Sequence, residues 1–203
     1  MSNILFNKNY PQEKNMIRPA KPEDAPTVAP LMILALGHIA GIFGGSENPD
    51  DGIPFVENFF RQDKNQYSYA NTLVYENESG IVGAVTGYDG KLLHELRQPI
   101  LDELHKSDPD FYPNDETEAG EYYLDCVNVN ASQQGKGIGK KLITAFCEHA
   151  FSLGFDRVGL IVDTGNPSAK KLYENIGFQQ VGKRDFMGHQ YFHMTKEKPT
   201  ADY

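Results

Sequence analysis

The chain has 203 residues, of which 39% are hydrophobic and 23% charged, and carries a formal net charge of −9. That length suits a single domain, residues 1–203, around one buried core, and the composition is that of a globular protein rather than a disordered one. The acid excess argues against a broad nucleic-acid surface and mildly favours a cationic, amine-bearing partner. Cys126 and Cys147 lack CxxC or Cys/His spacing, and the six histidines form no ligand-spaced pair. Buried thiols in a reducing, cytoplasmic compartment are therefore expected, with neither a disulfide framework nor a metal.

In chain order, residues 1–15 read as a polar extension and 16–19 as a first strand. Residues 23–41 read as the first helix, with Pro22 just ahead of it. The apolar run 27–43 contains Pro30, Gly37, His38 and Gly41 and falls short of the ~20 residues a membrane span needs. It begins too far in, and without a basic flank, to be a signal peptide. A buried helix broken near residues 41–45 is expected instead. In residues 53–62, Ile53, Val56, Phe59 and Phe60 share a helical face. Segments 71–76 and 81–88 are β-rich and joined by Asn77-Glu78-Ser79-Gly80, a hairpin turn.

Residues 89–119 form a long excursion before the next strand. It holds a helix over 92–105 with Leu93, Leu96, Ile100, Leu101 and Leu104 on its apolar face, then an acidic, turn-prone tract at 108–116. Excursions of this length are often functional. It reads either as a wall or lid over a site or as a decorative or dimer-forming flap. A strand follows at 121–129, whose alternation puts Glu121, Tyr123, Asp125 and Val127 on one face. Then come a helix at 138–153, a strand at 157–162, a helix from Pro167, and closing strands at 179–186 and 190–196 around Met187-Gly188-His189. This order predicts an α/β fold in which helices flank a mixed, mostly antiparallel twisted sheet.

Between the 121–129 strand and the 138–153 helix lies Gln134-Gly135-Lys136-Gly137-Ile138-Gly139-Lys140-Lys141. A strand turning through glycines into a helix aims unpaired N–H groups, and the positive end of the helix dipole, at one point suited to a phosphate. Walker A spacing fails, with Gln134 where its first glycine belongs and Lys141 where its hydroxyl belongs. Dinucleotide spacing fails at Lys140. The pattern Gln134-x-x-Gly137-x-Gly139 resembles the acyl-CoA pyrophosphate loop of the GCN5-related N-acetyltransferase (GNAT) family. Downstream, Asn166-Pro167-Ser168-Ala169-Lys170-Lys171-Leu172-Tyr173-Glu174-Asn175-Ile176-Gly177-Phe178 is similar to the second signature of that family. Its local logic is independent: Asn166 as N-cap, Pro167 at the first helical position, Ala169, Leu172, Tyr173 and Ile176 on one face, Gly177 as a left-handed stop. The resemblance covers roughly residues 121–182.

The resemblance implies a GNAT-like fold and acetyl-CoA as cosubstrate. It implies pyrophosphate binding by the N–H groups of Gln134, Gly135, Lys136, Gly137, Ile138, Gly139 and Lys140, with Lys136 and Lys140 adding charge. Asn166 and Ser168 belong to the same coenzyme side. Backbone N–H groups of Val127, Asn128 and Val129 would serve the thioester carbonyl if the strand splays or bulges there, with Asn128 or Asn130 easing the distortion. Tyr173 matches the tyrosine that protonates the leaving thiolate, and its ordinary pKa of ~10 exceeds the thiol's ~8.5. For the base, Tyr123 stands where histone-type relatives carry glutamate, and Ile161 where some ribosomal-protein acetylases do. Asp125 and Glu121 are the remaining candidates, as base or amine anchor. The implied reaction is direct acetyl transfer to a primary amine on a small molecule or peptide. Nucleic-acid and membrane partners are not expected, and a homodimer is common in the family. The alternative is a non-catalytic acyl-CoA-binding or sensing module. The acceptor is not legible.

Overall fold

A computed structural model describes residues 15–200; of the extension expected at 1–15, all but Asn15 lies outside the described residues. The chain enters as β1 (Asn15–Pro19) and continues as α1 (Ala25–Leu36), α2 (Ala40–Gly44) and α3 (Ile53–Phe60). The hairpin β2 (Thr72–Asn77) and β3 (Gly80–Asp89) leads to α4 (Leu93–Leu104). Then follow β4 (Tyr122–Val129), α5 (Ile138–Ser152), β5 (Arg157–Asp163), α6 (Pro167–Ile176), β6 (Gln179–Phe186) and β7 (His189–Glu197). The first-helix break falls earlier than the 41–45 expected. Gly37 adopts φ 56° and stops α1, so Gly41 is helical and Gly45, left-handed at φ 63°, ends α2. Only glycine takes the Gly37 conformation without strain, which is why the apolar run bends there.

The strands form one seven-stranded sheet in the order β1-β2-β3-β4-β5-β7-β6. Every neighbouring pair is antiparallel except β4 and β5. Each face carries its own apolar core. On one, Leu142, Ile143 and Phe146 of α5, with Tyr173 and Ile176 of α6, pack on Val85, Leu124, Val129 and Leu160. On the other, Val28, Met32 and Ile33 of α1 and Val56 and Phe60 of α3 pack on Val74, Ala84 and Cys126. Burial of each such large aliphatic or aromatic side chain contributes about 1.5–3 kcal/mol, which lets a helix with two glycine breaks hold its place.

Strand β4 departs from simple alternation. Thr86 faces Cys126 and Gly87 faces Leu124, so Asp125 is an extra residue opposite the β3 ladder. As a consequence Cys126 joins the α1-side core while Val127 packs against the α5-side core with Leu124. The expectation that Val127 shares one face with Tyr123 and Asp125 is thereby corrected: a bulge re-aims side chains, and periodicity alone cannot locate one. Gly87 is required beside it, because a Cβ there would lie 2.1 Å from Tyr123 O and 2.3 Å from the Phe146 ring. Gly87→Ala is expected to destabilise the fold by about 1–3 kcal/mol, read by urea denaturation, since the obstacle is backbone plus a fully buried ring.

Candidate active site

The site is built where β4 and β5 part. Their pairing stops after Tyr122 with Val158 and Tyr123 with Gly159, whereas pairing of β4 with β3 runs on to Val129. The splay expected near residues 127–129 therefore begins at Leu124 and leaves a wedge at the C-terminal half of β4. At the end of the wedge the chain turns through Gly135 (φ 76°) and Gly137 (φ 75°) into α5. Gly137 is the N-cap and supplies no side chain to the helix end. The first helical bond is Lys141 N–H to Gly137 C=O at 3.1 Å, so the N–H groups of residues 138–140 have no intrahelical acceptor. A Cβ at either Gly135 or Gly137 would meet no atom within 4 Å, so the approach to these donors is open. Gln134 anchors the turn through Nε2 to Val129 O at 3.0 Å, and Lys136 Nζ donates to Gln133 Oε1 at 2.8 Å. The Asn128 side chain accepts from Val129 N–H at 2.7 Å, which occupies one of the three strand N–H groups expected to face a carbonyl.

From the wedge a cavity of about 430 Å³ runs toward α1 and α4. One end is lined by Val127, Asn128, Asn166, Ala169 and Tyr173, the other by Leu34, Phe43, Ile100, Leu104 and Phe111. Asn166 caps α6 by accepting from Ala169 N–H at 3.0 Å, which fixes the helix carrying Tyr173. Tyr173 is buried, its ring edge-on to Phe178 at 5.7 Å. Burial, and then the neighbouring Cys126, hold its phenol well above the ordinary value, so it keeps its proton at neutral pH.

Asp125 occupies the middle of the cavity, and its position on the bulge aims it there. Its Oδ2 is buried without a hydrogen-bond partner among the described residues. Burial, reinforced by the charge of Glu116 and opposed by Arg97, pushes its carboxyl up to about 8. Glu116 lines the same cavity but is fully engaged: Arg97 Nη2 forms a close ion pair with its Oε2, and Gln66 Nε2 (2.9 Å) and Tyr88 Oη (3.3 Å) donate to Oε1. Arg97 is likewise engaged, Nη1 donating to Asp115 Oδ1 at 3.1 Å and Pro113 O at 3.3 Å, Nη2 also to Asn114 O at 3.3 Å. Burial raises the Glu116 carboxyl while Arg97 pulls it back.

Of the residues singled out in the sequence, Asp125, Tyr173, Val127, Asn128 and Asn166 meet at this cavity, as do Tyr123 and Ile161. Glu121 does not. Its Oε1 accepts from Thr117 Oγ1 at 2.7 Å and its Oε2 lies 2.9 Å from His193 Nε2. Burial pushes its carboxyl up, but these bonds outweigh it and hold it below the ordinary value, an arrangement that locks β4 to β7 rather than poising a base. Ser168 is exposed on α6 and is not among the residues lining the cavity. The excursion 89–119 walls the cavity through α4, Phe111, Pro113 and Glu116. Sequence reasoning missed Arg97, Glu116 and Gln66. A signal existed: Arg97 interrupts the apolar stripe of Leu93, Leu96, Ile100 and Leu104, and a charge on such a stripe requires a buried partner.

Residues 37–178 match the acetyltransferase (GNAT) family model, and the chain belongs to that family. A crystal structure of an acetyltransferase is 31% identical, with a TM-score of 0.74 over 90% of this chain and 98% of that one. Over shorter stretches the chain is 42% identical to a mycothiol acetyltransferase of Thermobispora bispora (29% of this chain, 19% of that protein). It is 34% identical to the spermine/spermidine N(1)-acetyltransferase of Bacillus subtilis strain 168 (37% of this chain, 50% of that protein). The chain thus spans between about a fifth and a half of these curated relatives. Among the described residues no helix is long and apolar enough to cross a membrane.

Proposed function

We propose that the protein is an acetyl-CoA-dependent N-acetyltransferase that passes the acetyl group directly to a primary amine. The observation that carries this reading is the meeting, at one cavity, of a buried protonated phenol and an unpartnered carboxyl on the strand that leads through the glycine turn to the open N-terminus of α5. Acetyl-CoA, when bound, supplies an acyl carbonyl activated as a thioester with a thiolate as leaving group. The N–H groups of residues 138–140 and the charge of Lys136 and Lys140 would hold its pyrophosphate. Backbone groups of β4 beyond Tyr123, freed from β5, would orient the thioester and donate to its oxygen. Asp125 takes the proton of the incoming ammonium and returns it to solvent, and the freed amine attacks the carbonyl. As the C–S bond breaks, Tyr173 gives its proton to the departing sulfur and is restored by the second proton that the nitrogen sheds.

The test is release of free thiol from acetyl-CoA by the purified chain with a panel of amines. Coenzyme binding with no transfer to any amine would instead support a non-catalytic acyl-CoA-binding module. Tyr173→Phe is expected to lower kcat by about 10- to 100-fold while leaving coenzyme affinity nearly unchanged. The effect sits at the low end for a general acid because a thiolate is a good leaving group. Unchanged turnover and pH profile would remove Tyr173 from the acid role.

A further inference from the structure

The amine end of the cavity has a composition that selects among acceptors. Its walls combine apolar side chains, Leu34, Ile39 and Phe43 from the broken first helix, Ile100 and Leu104 from α4 and Phe111 from the acidic tract, with the uncharged polar Gln66, Tyr67 and Tyr123. Phe43 is itself held in place, stacked on Phe55 at 4.9 Å and edge-on to Tyr67 at 5.6 Å. The charged groups at the cavity are Arg97, Glu116, Asp125 and Asp163. Arg97 and Glu116 neutralise each other, and Arg97's guanidinium is spent on Asp115 and two backbone carbonyls besides. Asp163 sits at the far, half-exposed mouth, its Oδ1 accepting from Gly165 N–H at 2.6 Å and its Oδ2 facing His189 at 3.9 Å. The Asp125 carboxyl is the charged group at the cavity that makes no hydrogen bond or ion pair among the described residues, its Oδ2 sealed by the surrounding protein. A single unpartnered carboxyl beside these apolar side chains meets the needs of one ammonium and one apolar body. A second ammonium would be desolvated without a partner. At the cavity an acceptor carboxylate would meet one cation, Arg97, already paired with Asp115 and Glu116, and would face Asp125 and Glu116.

We infer that the acceptor is a primary monoamine with an apolar, aryl- or alkyl-ethyl type body, whose ammonium is held by the Asp125 carboxyl and whose body lies against Ile100, Leu104 and Phe111. This rests on the proposed transferase reading for the fate of the amine but not for its binding. The proton count makes it measurable without chemistry. In solution at neutral pH the amine carries a proton and so does most of the Asp125 carboxyl. The complex holds one proton between nitrogen and the carboxyl, so binding expels the other whichever group keeps the shared one.

Titration calorimetry of the intact protein with 2-phenylethylamine, in two buffers of different ionisation enthalpy, reads both affinity and proton release. The expected result is release of close to one proton per amine at pH 6.5–7, falling toward zero by pH 9. Binding of 1,4-diaminobutane, phenylalanine and leucyl-glycine amide should be at least tenfold weaker, and that of 2-phenylethanol likewise. Asp125→Asn should abolish the proton release, and Phe111→Ala should weaken 2-phenylethylamine severalfold while leaving methylamine unaffected. Equal or tighter binding of the diamine, the amino acid, the dipeptide amide or the alcohol would overturn the inference, as would binding without proton release. Monoamine binding with proton release but no thiol production overturns the transferase reading alone. Acetylation of diamines but not monoamines overturns this inference alone.

Discussion

Asp125→Asn is expected to lower kcat/KM for a primary amine by about 10²- to 10⁴-fold at pH 7, the range for loss of a positioned general base. The pH dependence identifies the cause. With the carboxyl at about 8 and an alkylamine near 10, the productive complex carries one proton fewer than the two free partners at neutral pH. In the native protein kcat/KM should climb tenfold per pH unit to about 8, level off, and fall above about 10. The variant requires amine already neutral in solution, so its climb should continue to the amine's own pKa. A variant profile that still levels off near 8 would remove Asp125 from the role. Stability provides an independent check. The folded carboxyl is raised from 3.8 to about 8, so the folded state holds a proton that the unfolded chain has released. This contribution is intact below about 3.8 and is gone once the pH has passed 8. The melting temperature of Asp125→Asn relative to the native protein should therefore rise between pH 4 and 8 and stay constant above.

Arg97→Met should be the most damaging single change to the fold. It leaves Glu116 buried and charged beside Asp125, and breaking a buried pair in this way costs about 3–5 kcal/mol. The loss is concentrated on the excursion 89–119, because Arg97 ties α4 to Pro113, Asn114, Asp115 and Glu116. Adding Glu116→Gln should recover a large part of the stability, since the stranded charge is then gone. Arg97 also opposes the upward push on Asp125, so in the single variant the rising limb of kcat/KM should move above 8. Chemical denaturation of the two variants, with pH profiles of the folded fraction, checks both points. Equal stability of Arg97→Met and the native protein would mean that Glu116 is not held as a charge.

The fold was legible wherever local chemistry and periodicity agreed. Asn166, Pro167 and Gly177 bound α6 as their capping preferences require, and the 77–80 turn joins β2 to β3 as read. The glycine loop was legible for the same reason: Gly135 and Gly137 do adopt the left-handed conformation that makes them glycines. The break in the first helix was expected four residues too late, because Gly37, Gly41, Gly44 and Gly45 are equivalent to local propensity. Only packing decides among them: a Cβ at Gly41 would meet Ser46 O at 2.6 Å, so that glycine serves a close approach instead of the break.

By itself, the sequence determined the family, the order of elements and the glycine turn into α5, because each is encoded in short segments whose residues act on their own backbone. Asp125 and Glu121 were indistinguishable at that level, two acids at matching positions of one strand. The tertiary structure separated them. A bulge opposite Thr86 and Gly87 brings Asp125 to the cavity with one oxygen unpartnered, while His193, distant in sequence, takes up Glu121. The reactivity of a carboxyl depends on what surrounds it, and those surroundings come from α1, α4 and β7, far along the chain.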